Sequence, residues 1–423
     1  MTQTPRTRPR TTSPSATAAG SAAYASALEG RLRLARISMG RAIRAESSSF
    51  YMLLGTTLFM VTFGLIMVLS SSSVTSFTGD QGAFGLFARQ AVVAVIGVPL
   101  MLVISRVPVR VWRRWAWIPL VAGILLQVVV LTTPLGIAVG QNRNWIGIGS
   151  FNFQPSELIK VGLVAWLGLI LARREPFLGT WSGAFMPALP AATVGLGVVM
   201  AGGDLGTTMI MASLVFGALY FAGVPGRMLV ALVAVGLVLT AILAMASSSR
   251  VTRLLEFGSG GNGDLQGSAW QSTQGIWAMA AGGIFGVGLG NSAAKWSWLP
   301  AADNDFIFAI IGEELGLIGA ILVLGLFVVL AISFLRILRR SNDLFSRVVT
   351  GSVMVWLVGQ AFVNIAVVLG LLPVLGVPLP LISSGGSALI TTLIGIGLVL
   401  SIAREESHPD SSHTFPATRP VRG

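Results

Sequence analysis

The stretch from Leu299 to Gly319, LPAADNDFIFAIIGEELGLIG, places Asp303, Asp305, Glu313 and Glu314 at and just inside the mouth of a long apolar run. Only 10% of the 423 residues are charged, so this concentration of carboxylates marks where chemistry should be sought. An ionised carboxylate at membrane depth costs several kcal/mol unless it is paired or faces a wet cavity. At a water–lipid boundary, partial burial raises a carboxylate's pKa and suits it to take a proton from a hydroxyl nucleophile as general base. Asp305 is the best-placed residue for that role. Glu313 and Glu314, two turns deeper, are suited to orienting or tuning it. The structural alternatives are a helix N-cap for Asp305 and pairing with a buried Arg or Lys for the two glutamates.

The elements that must position these acids are transmembrane helices. Hydrophobic residues make up 54% of the chain and the mean hydropathy is +0.81, far outside the range of a soluble domain. Apolar runs near 51–70, 86–105, 115–134, 157–172, 185–201, 206–223, 227–246, 306–335, 348–371 and 387–403 predict about ten spans. The runs are continuous rather than alternating, which excludes a β-barrel. The fold class expected is an all-α integral membrane protein.

The net charge of +12 follows the spans rather than a nucleic-acid surface. Arg6 to Arg44 precede the first span, Arg106, Arg110, Arg113 and Arg114 follow the second, Arg173 and Arg174 the fourth, Arg227 the sixth, and Arg336, Arg339, Arg340 and Arg347 the eighth. A basic excess at every second connection is the positive-inside pattern and predicts cytoplasmic termini. No cleavable signal is expected, because the first apolar run starts about 50 residues in and is too long for an h-region. Residues 1–50 read as a disordered basic cytoplasmic tail, in which 31–46 could form an amphipathic helix, and 405–423 as a second tail. Between them, 51–404 is one membrane domain. Cysteine is absent and the two histidines, His408 and His413, lie in the tail, which argues against a thiolate or histidine metal site. A divalent cation assisting the chemistry is left open.

With the termini inside, the outer connections carry the remaining polar residues. The longest, 247–305 between the seventh and eighth spans, is glycine-rich at its middle and apolar from Gln271 to Leu289, which suits lying along or dipping into the membrane surface. It holds Arg253, Gln271, Gln274 and Lys295, cations and amides that an anionic ligand or a diphosphate leaving group would want convergent. QNRNWIGIGSFNFQPSELIK predicts a small hairpin at the interface, followed by a helix with Ser156 as N-cap. Arg143 in this hairpin runs against the inside bias and reads as an anion contact. GGDLGTT places Asp204 either as an N-cap or as a polar contact in an outward cavity. In GLLPVLGVPLPLISSGGSALI, prolines and glycines break the helix, and Ser383 to Ser387 present backbone N–H groups suited to an anion, or form a simple turn.

Taken in this order, NWIGIGSFNFQPSELIK, GGDLGTT, WQSTQGIWAMAAGGIFGVGLGNSAAKWSWLPAADNDFIFAIIGEELGLIG and NIAVVLGLLPVLGVPLPLISSGGS resemble the SEDS family of cell-wall polymerases, over roughly Tyr51 to Arg404. The resemblance implies a ten-helix transferase that polymerises lipid II, held on undecaprenyl diphosphate, into glycan strands on the outer face of the bacterial cytoplasmic membrane. It implies a class B penicillin-binding protein and other division proteins as partners, with no nucleic acid. The family's essential acid, the Asp of its DFIF motif, falls on Asp305. Substrate contacts are expected among Arg143, Lys160, Asp204, Arg253, Gln271, Gln274, Lys295, Glu313, Glu314, Ser383 and Ser387. The long arginine-rich N-terminal segment favours the division branch, at the septum, over the elongation branch.

The chain departs from the family pattern at four places. Asn144 stands where Arg is common, Gly202 where Gln is usual, Ser384 where Tyr is frequent, and AADND replaces EAHTD, which removes the Glu and His ahead of Asp305. A competing reading is a lipid II flippase, which would need polar groups at the midplane and access from both faces.

Overall fold

The computed structural model describes residues 46–78, 84–139, 142–148, 151–186, 188–246, 251–253, 255, 268–296 and 299–406. Residues 1–45 of the expected N-terminal tail, including 31–45 of its amphipathic segment, the glycine-rich middle of the long loop, and most of the C-terminal tail lie outside these residues, while 48–50, expected in the tail, belong to the first helix. The helices belong to one unit that begins at Ser47.

Helices form wherever the apolar runs predict them. In order they are α1 (Ser48–Thr78), α2 (Gly85–Ile104), α3 (Val109–Trp115), α4 (Trp117–Thr132), α5 (Pro155–Arg173), α6 (Trp181–Phe185), α7 (Leu189–Ala201), α8 (Leu205–Phe221), α9 (Gly226–Met245), α10 (Ser268–Gly282), α11 (Ile307–Arg340), α12 (Leu344–Val368) and α13 (Gly386–Glu406). Among the described residues seven are long and apolar enough to cross a bilayer, and α3 with α4, bent by 46°, makes an eighth. The shorter apolar helices α7 and α8 complete ten apolar segments. At 13 residues α7 reaches only ~20 Å, less than the hydrocarbon thickness.

Some boundaries differ from the hydropathy reading for identifiable reasons. α1 runs on to Thr78, through residues assigned from hydropathy to an outer connection; Ser72 returns its hydroxyl to Val68 O, and Ser70 binds Glu314 on α11. α10 packs along α11, with Gly275 against the Phe306 ring. The helix expected to be capped by Ser156 starts at Pro155 with Gln154 in the cap position, and Ser156 Oγ is buried without a hydrogen-bond partner.

The hairpin is part of a three-stranded antiparallel sheet, β1 (Gly136–Val139), β2 (Asn142–Ile148) and β3 (Phe151–Phe153), with Trp145 opposite Ile137 and Ile146 opposite Phe153. It is a small addition to an otherwise helical fold.

α5 and α13 are enclosed by other helices, and both carry polar groups inward. Glu157 and Lys160, one turn apart on α5, form an ion pair of 2.7 Å with both side chains at least 96% buried. Thr391 on α13 donates to Glu157 Oε2 at 3.0 Å, and Lys160 lies over the buried Trp356 ring at 4.8 Å. A pair so enclosed holds only because each charge has further partners.

α11 is broken at Gly316, whose φ of 66° and ψ of −162° belong to a region that only glycine adopts readily. The break frees carbonyls that the incoming loop satisfies: Val287 N donates to Glu313 O at 2.9 Å and Gly288 N to Glu314 O at 3.0 Å. In α12, residues Val355–Gly359 form a π turn.

Two substitutions test these constraints. Gly316→Ala puts a Cβ 2.4 Å from Gly286 N in a forbidden conformation, and should cost at least about 2 kcal/mol, read as a fall in Tm in detergent. Lys160→Met strands a buried carboxylate and should cost about 3–5 kcal/mol, most of it recovered when Glu157→Gln is added. A double variant no more stable than the single one would show that the ion pair is not the reason.

Candidate functional site

Asp305 occupies the last turn before α11. The helix is capped at Phe306, without a side-chain cap, so Asp305 is not committed to the helix end. Its loop is held from two sides. Asn364 on α12 splits its amide between Asp305 O and Val377 O, both at 2.7 Å. Ser383 donates to Asn304 O at 2.7 Å, while Ser384 donates from its backbone to Asp303 O at 2.9 Å and from its hydroxyl to Asp303 Oδ2 at 2.6 Å.

The carboxylate opens into a cavity of about 190 Å³. α5 contributes Glu157 and Lys160 to its lining, the start of α8 contributes Asp204 and Thr207, and α12 contributes Gln360. The 376–388 segment adds Gly376, Ser384 and Ser387, and the hairpin region adds Trp145 and Gln154. Asp305 Oδ1 is buried with no hydrogen-bond partner, and Oδ2 stands 3.6 Å from where a Cβ on Gly376 would be. Burial, and after it the negative charges of Asp204 and Asp303, push the Asp305 carboxyl up to about 7.

The Pro- and Gly-rich segment after α12 is irregular backbone beside a cavity, and side chains satisfy its carbonyls. Gln360 donates to Pro378 O at 2.8 Å, Asn364 to Val377 O, and Gln90 on α2 to Ser383 O at 3.3 Å. Gln360 Oε1 receives Trp356 Nε1 at 3.1 Å and Lys160 Nζ at 3.5 Å, which ties the floor of the cavity to the ion pair. None of Gln90, Gln360 and Asn364 was singled out from sequence. Amides inside apolar runs were the available signal.

The structure brings together Asp305, Lys160, Asp204 and Ser387 from the expected set. Asp204 both caps and lines: it accepts from Thr207 N at 2.8 Å and from Gln154 Nε2 at 3.1 Å, and burial raises its pKa against the lowering effect of the Thr207 hydrogen bonds. Ser387 accepts from Gln154 N at 3.3 Å. Ser383 lies behind the wall, holding Asn304 O. The Ser384 and Gly385 N–H groups are taken by Asp303 O and Gln90 Oε1.

The other expected contacts lie elsewhere. Lys295 pairs with Glu314 at 3.5 Å and donates to Gly290 O. Glu313 accepts from Ala293 N at 2.8 Å and from Ser292 Oγ. These groups, with Ser70, pin the long loop to α1 and α11. Gln271 donates to Pro300 O at 2.9 Å, Gln274 is buried on α10, Arg253 is exposed, and Arg143 donates to Thr133 O at 2.6 Å. None of these seven lines the cavity. Among the described residues no three His, Cys, Asp or Glu side chains cluster as a metal site.

The departures from the family pattern fall into touching pairs. Gly202 leaves room for Asn144: a Cβ there would lie 2.0 Å from Asn144 Oδ1, and Asn144 Nδ2 donates to Gly202 O at 3.0 Å. Asp303, where the pattern has His, and Ser384, where it has Tyr, are joined by the 2.6 Å hydrogen bond from the Ser384 hydroxyl.

Comparison with known proteins agrees with this geometry. Residues 50–408 match the cell cycle protein family of FtsW, RodA and SpoVE. The chain is 40% identical over 371 residues to a probable peptidoglycan glycosyltransferase FtsW of Mycobacterium tuberculosis, covering 88% of this chain and 71% of that protein. It is 35% identical to stage V sporulation protein E of Bacillus subtilis, covering 85% and 98%. Among solved structures it is similar to a chain of a peptidoglycan synthase complex, with a TM-score of 0.69 at 28% identity, covering 86% and 98%. It is also similar to the rod shape determining protein RodA of Thermus thermophilus, with a TM-score of 0.64 at 26% identity, covering 86% and 99%. Ten apolar segments, an acid loop held over a polar cavity and a match across nearly all of the described residues place this chain in the FtsW, RodA and SpoVE family.

Proposed function

We propose that the protein is a peptidoglycan glycosyltransferase that polymerises lipid II on the outer face of the bacterial cytoplasmic membrane, with Asp305 as general base. The observation that carries this reading is Asp305 itself, a carboxylate aimed into a cavity with one oxygen enclosed and unpartnered. Orientation follows from charge. Arg106, Arg110, Arg113 and Arg114 lie beyond α2, and Arg173, Arg336, Arg339 and Arg340 close α5 and α11. Glu157 and Arg173 stand near opposite ends of the 19-residue α5, which is ~28 Å long. The basic end is therefore cytoplasmic and the Asp305 end outside.

The 4-hydroxyl of the GlcNAc in an incoming lipid II attacks the anomeric carbon of the strand held on undecaprenyl diphosphate. As the new C–O bond forms, Asp305 takes the hydroxyl proton, and the anomeric C–O bond breaks with its electron pair leaving on the diphosphate. Lys160 is the cation in the cavity lining, and Glu157, at 2.7 Å in the same lining, already balances its charge. Lys295 and Arg253, expected from sequence to meet the diphosphate leaving group, are respectively paired with Glu314 and exposed outside the cavity. A transporter would need polar groups reached from both faces. Here Glu157, Lys160, Asp204 and Asp305 line one cavity at the start of α5.

Likeness to a chain of a synthase complex that joins polymerization to crosslinking supports a class B penicillin-binding protein as partner. The relationship to FtsW proteins supports a role in division, with a septal location and contacts to other division proteins.

The test is gel analysis of glycan strands from purified lipid II incubated with the protein and its class B partner. Asp305→Asn should lower strand formation by about 10²-fold or more without loss of folding. Strands from the variant at the wild-type rate would move the base elsewhere. With its carboxyl raised to about 7, Asp305 is protonated below that pH and disabled as a base. The kcat/KM profile should therefore fall on the acid side with a midpoint near pH 7. A midpoint near 4 would mean that an ordinary carboxylate does the work.

A further inference from the structure

A second carboxylate stands two residues before Asp305, and the polymerase chemistry does not use it. Asp303 is half-buried and takes part in two hydrogen bonds to one residue: its carbonyl accepts from Ser384 N at 2.9 Å and its Oδ2 from Ser384 Oγ at 2.6 Å. Ser383 adds a third link by donating to Asn304 O. The acid loop is thus stapled to the 383–385 segment, which α2 holds in turn through Gln90 on Ser383 O and Gly385 N. Ser384 and Asp305 both line the cavity. A neutral side chain at 303 could make the same staple, since Ser384 needs only an acceptor. A carboxylate there also keeps a negative charge on the loop that carries Asp305, two residues from it.

We propose, building on the polymerase reading, that Asp303 is a positioning residue for Asp305 with two separable actions: its hydrogen bonds to Ser384 fix the acid loop over the cavity, and its negative charge, held there by that staple, opposes ionisation of Asp305. The charged groups that face this corner are few. α5 brings Glu157 and Lys160, already paired with each other at 2.7 Å. The start of α8 brings Asp204, and α2 brings Gln90 with Arg89 beside it in sequence. α12 and the 376–388 segment bring Gln360, Asn364 and serines, which are neutral. Burial works most strongly against ionisation of Asp305, and after it the charges of two carboxylates, Asp204 and then Asp303.

The experiment titrates Asp305 directly in the full-length protein, by infrared difference spectra of the carboxyl band taken against Asp305→Asn over pH 5 to 9. It needs no substrate. The wild type should show a midpoint near 7, as burial and the two neighbouring carboxylates dictate. Asp303→Asn, which keeps an acceptor for Ser384 and removes the charge, should lower the midpoint by about half a pH unit or more. Ser384→Ala, which loosens the staple and keeps the charge, should leave the midpoint in place and lower kcat for strand formation at every pH by about fivefold or more. Asp303→Glu guards against misfolding of the neutral variant and should keep the wild-type midpoint. An Asp303→Asn midpoint that superimposes on the wild type overturns the charge action. A Ser384→Ala enzyme with undiminished kcat overturns the staple. Absence of strands from the wild type would refute the polymerase reading alone, because the titration reports on Asp303 without it.

Discussion

Everything at the site depends on how its irregular backbone finds hydrogen-bond partners at membrane depth. Helix breaks in a bilayer leave carbonyls that water cannot reach, so side chains must supply the donors. Asn364 does this for Asp305 O and Val377 O at once, and Gln360 does it for Pro378 O. One amide therefore joins the acid loop to the proline-rich wall facing it. The wall can stay extended and line a cavity because α12 carries these two donors one turn apart.

The same constraint explains the second polar cluster, around Glu313, Glu314, Lys295, Ser292 and Ser70. Gly316 interrupts α11 about three turns beyond the acid loop, and the 283–288 segment closes the gap from both sides: Val287 and Gly288 donate N–H groups to Glu313 O and Glu314 O, and Gly283 and Ile284 accept from Leu317 N and Ile318 N. The two glutamates then close over residues 292–295. This cluster holds the long outer loop rather than facing the cavity. Among the described residues, buried charge thus divides between groups that fasten the long loop and groups that line the cavity.

The ten apolar segments were legible from residue types alone because hydrocarbon thickness imposes a length and a composition that few sequences meet by accident. Asp305 stood out because acids are so rare here. The hairpin was readable from the alternation around Trp145, although its partner strand Gly136–Val139 was not. What sequence could not show was direction. Arg143 turns back to Thr133 O, and Lys295 turns inward to Glu314, yet both read as outward cations. Gln360 and Asn364 were passed over because a polar residue in an apolar run has no face until the helix phase is known. The paired departures were also invisible singly: Gly202 and Asn144 lie 58 positions apart, and only contact shows that one makes room for the other.

The π turn at Val355–Gly359 sets that helix phase. A π turn holds one residue more than an α turn, and each residue advances the helix face by about 100°. Gln360 follows the turn immediately and Asn364 one turn later, so the turn fixes the phase at which both amides leave the helix. A change of chain length between the two halves of α12 would swing both donors away from the cavity together, whereas a point substitution elsewhere in the lining alters the cavity without disturbing that alignment.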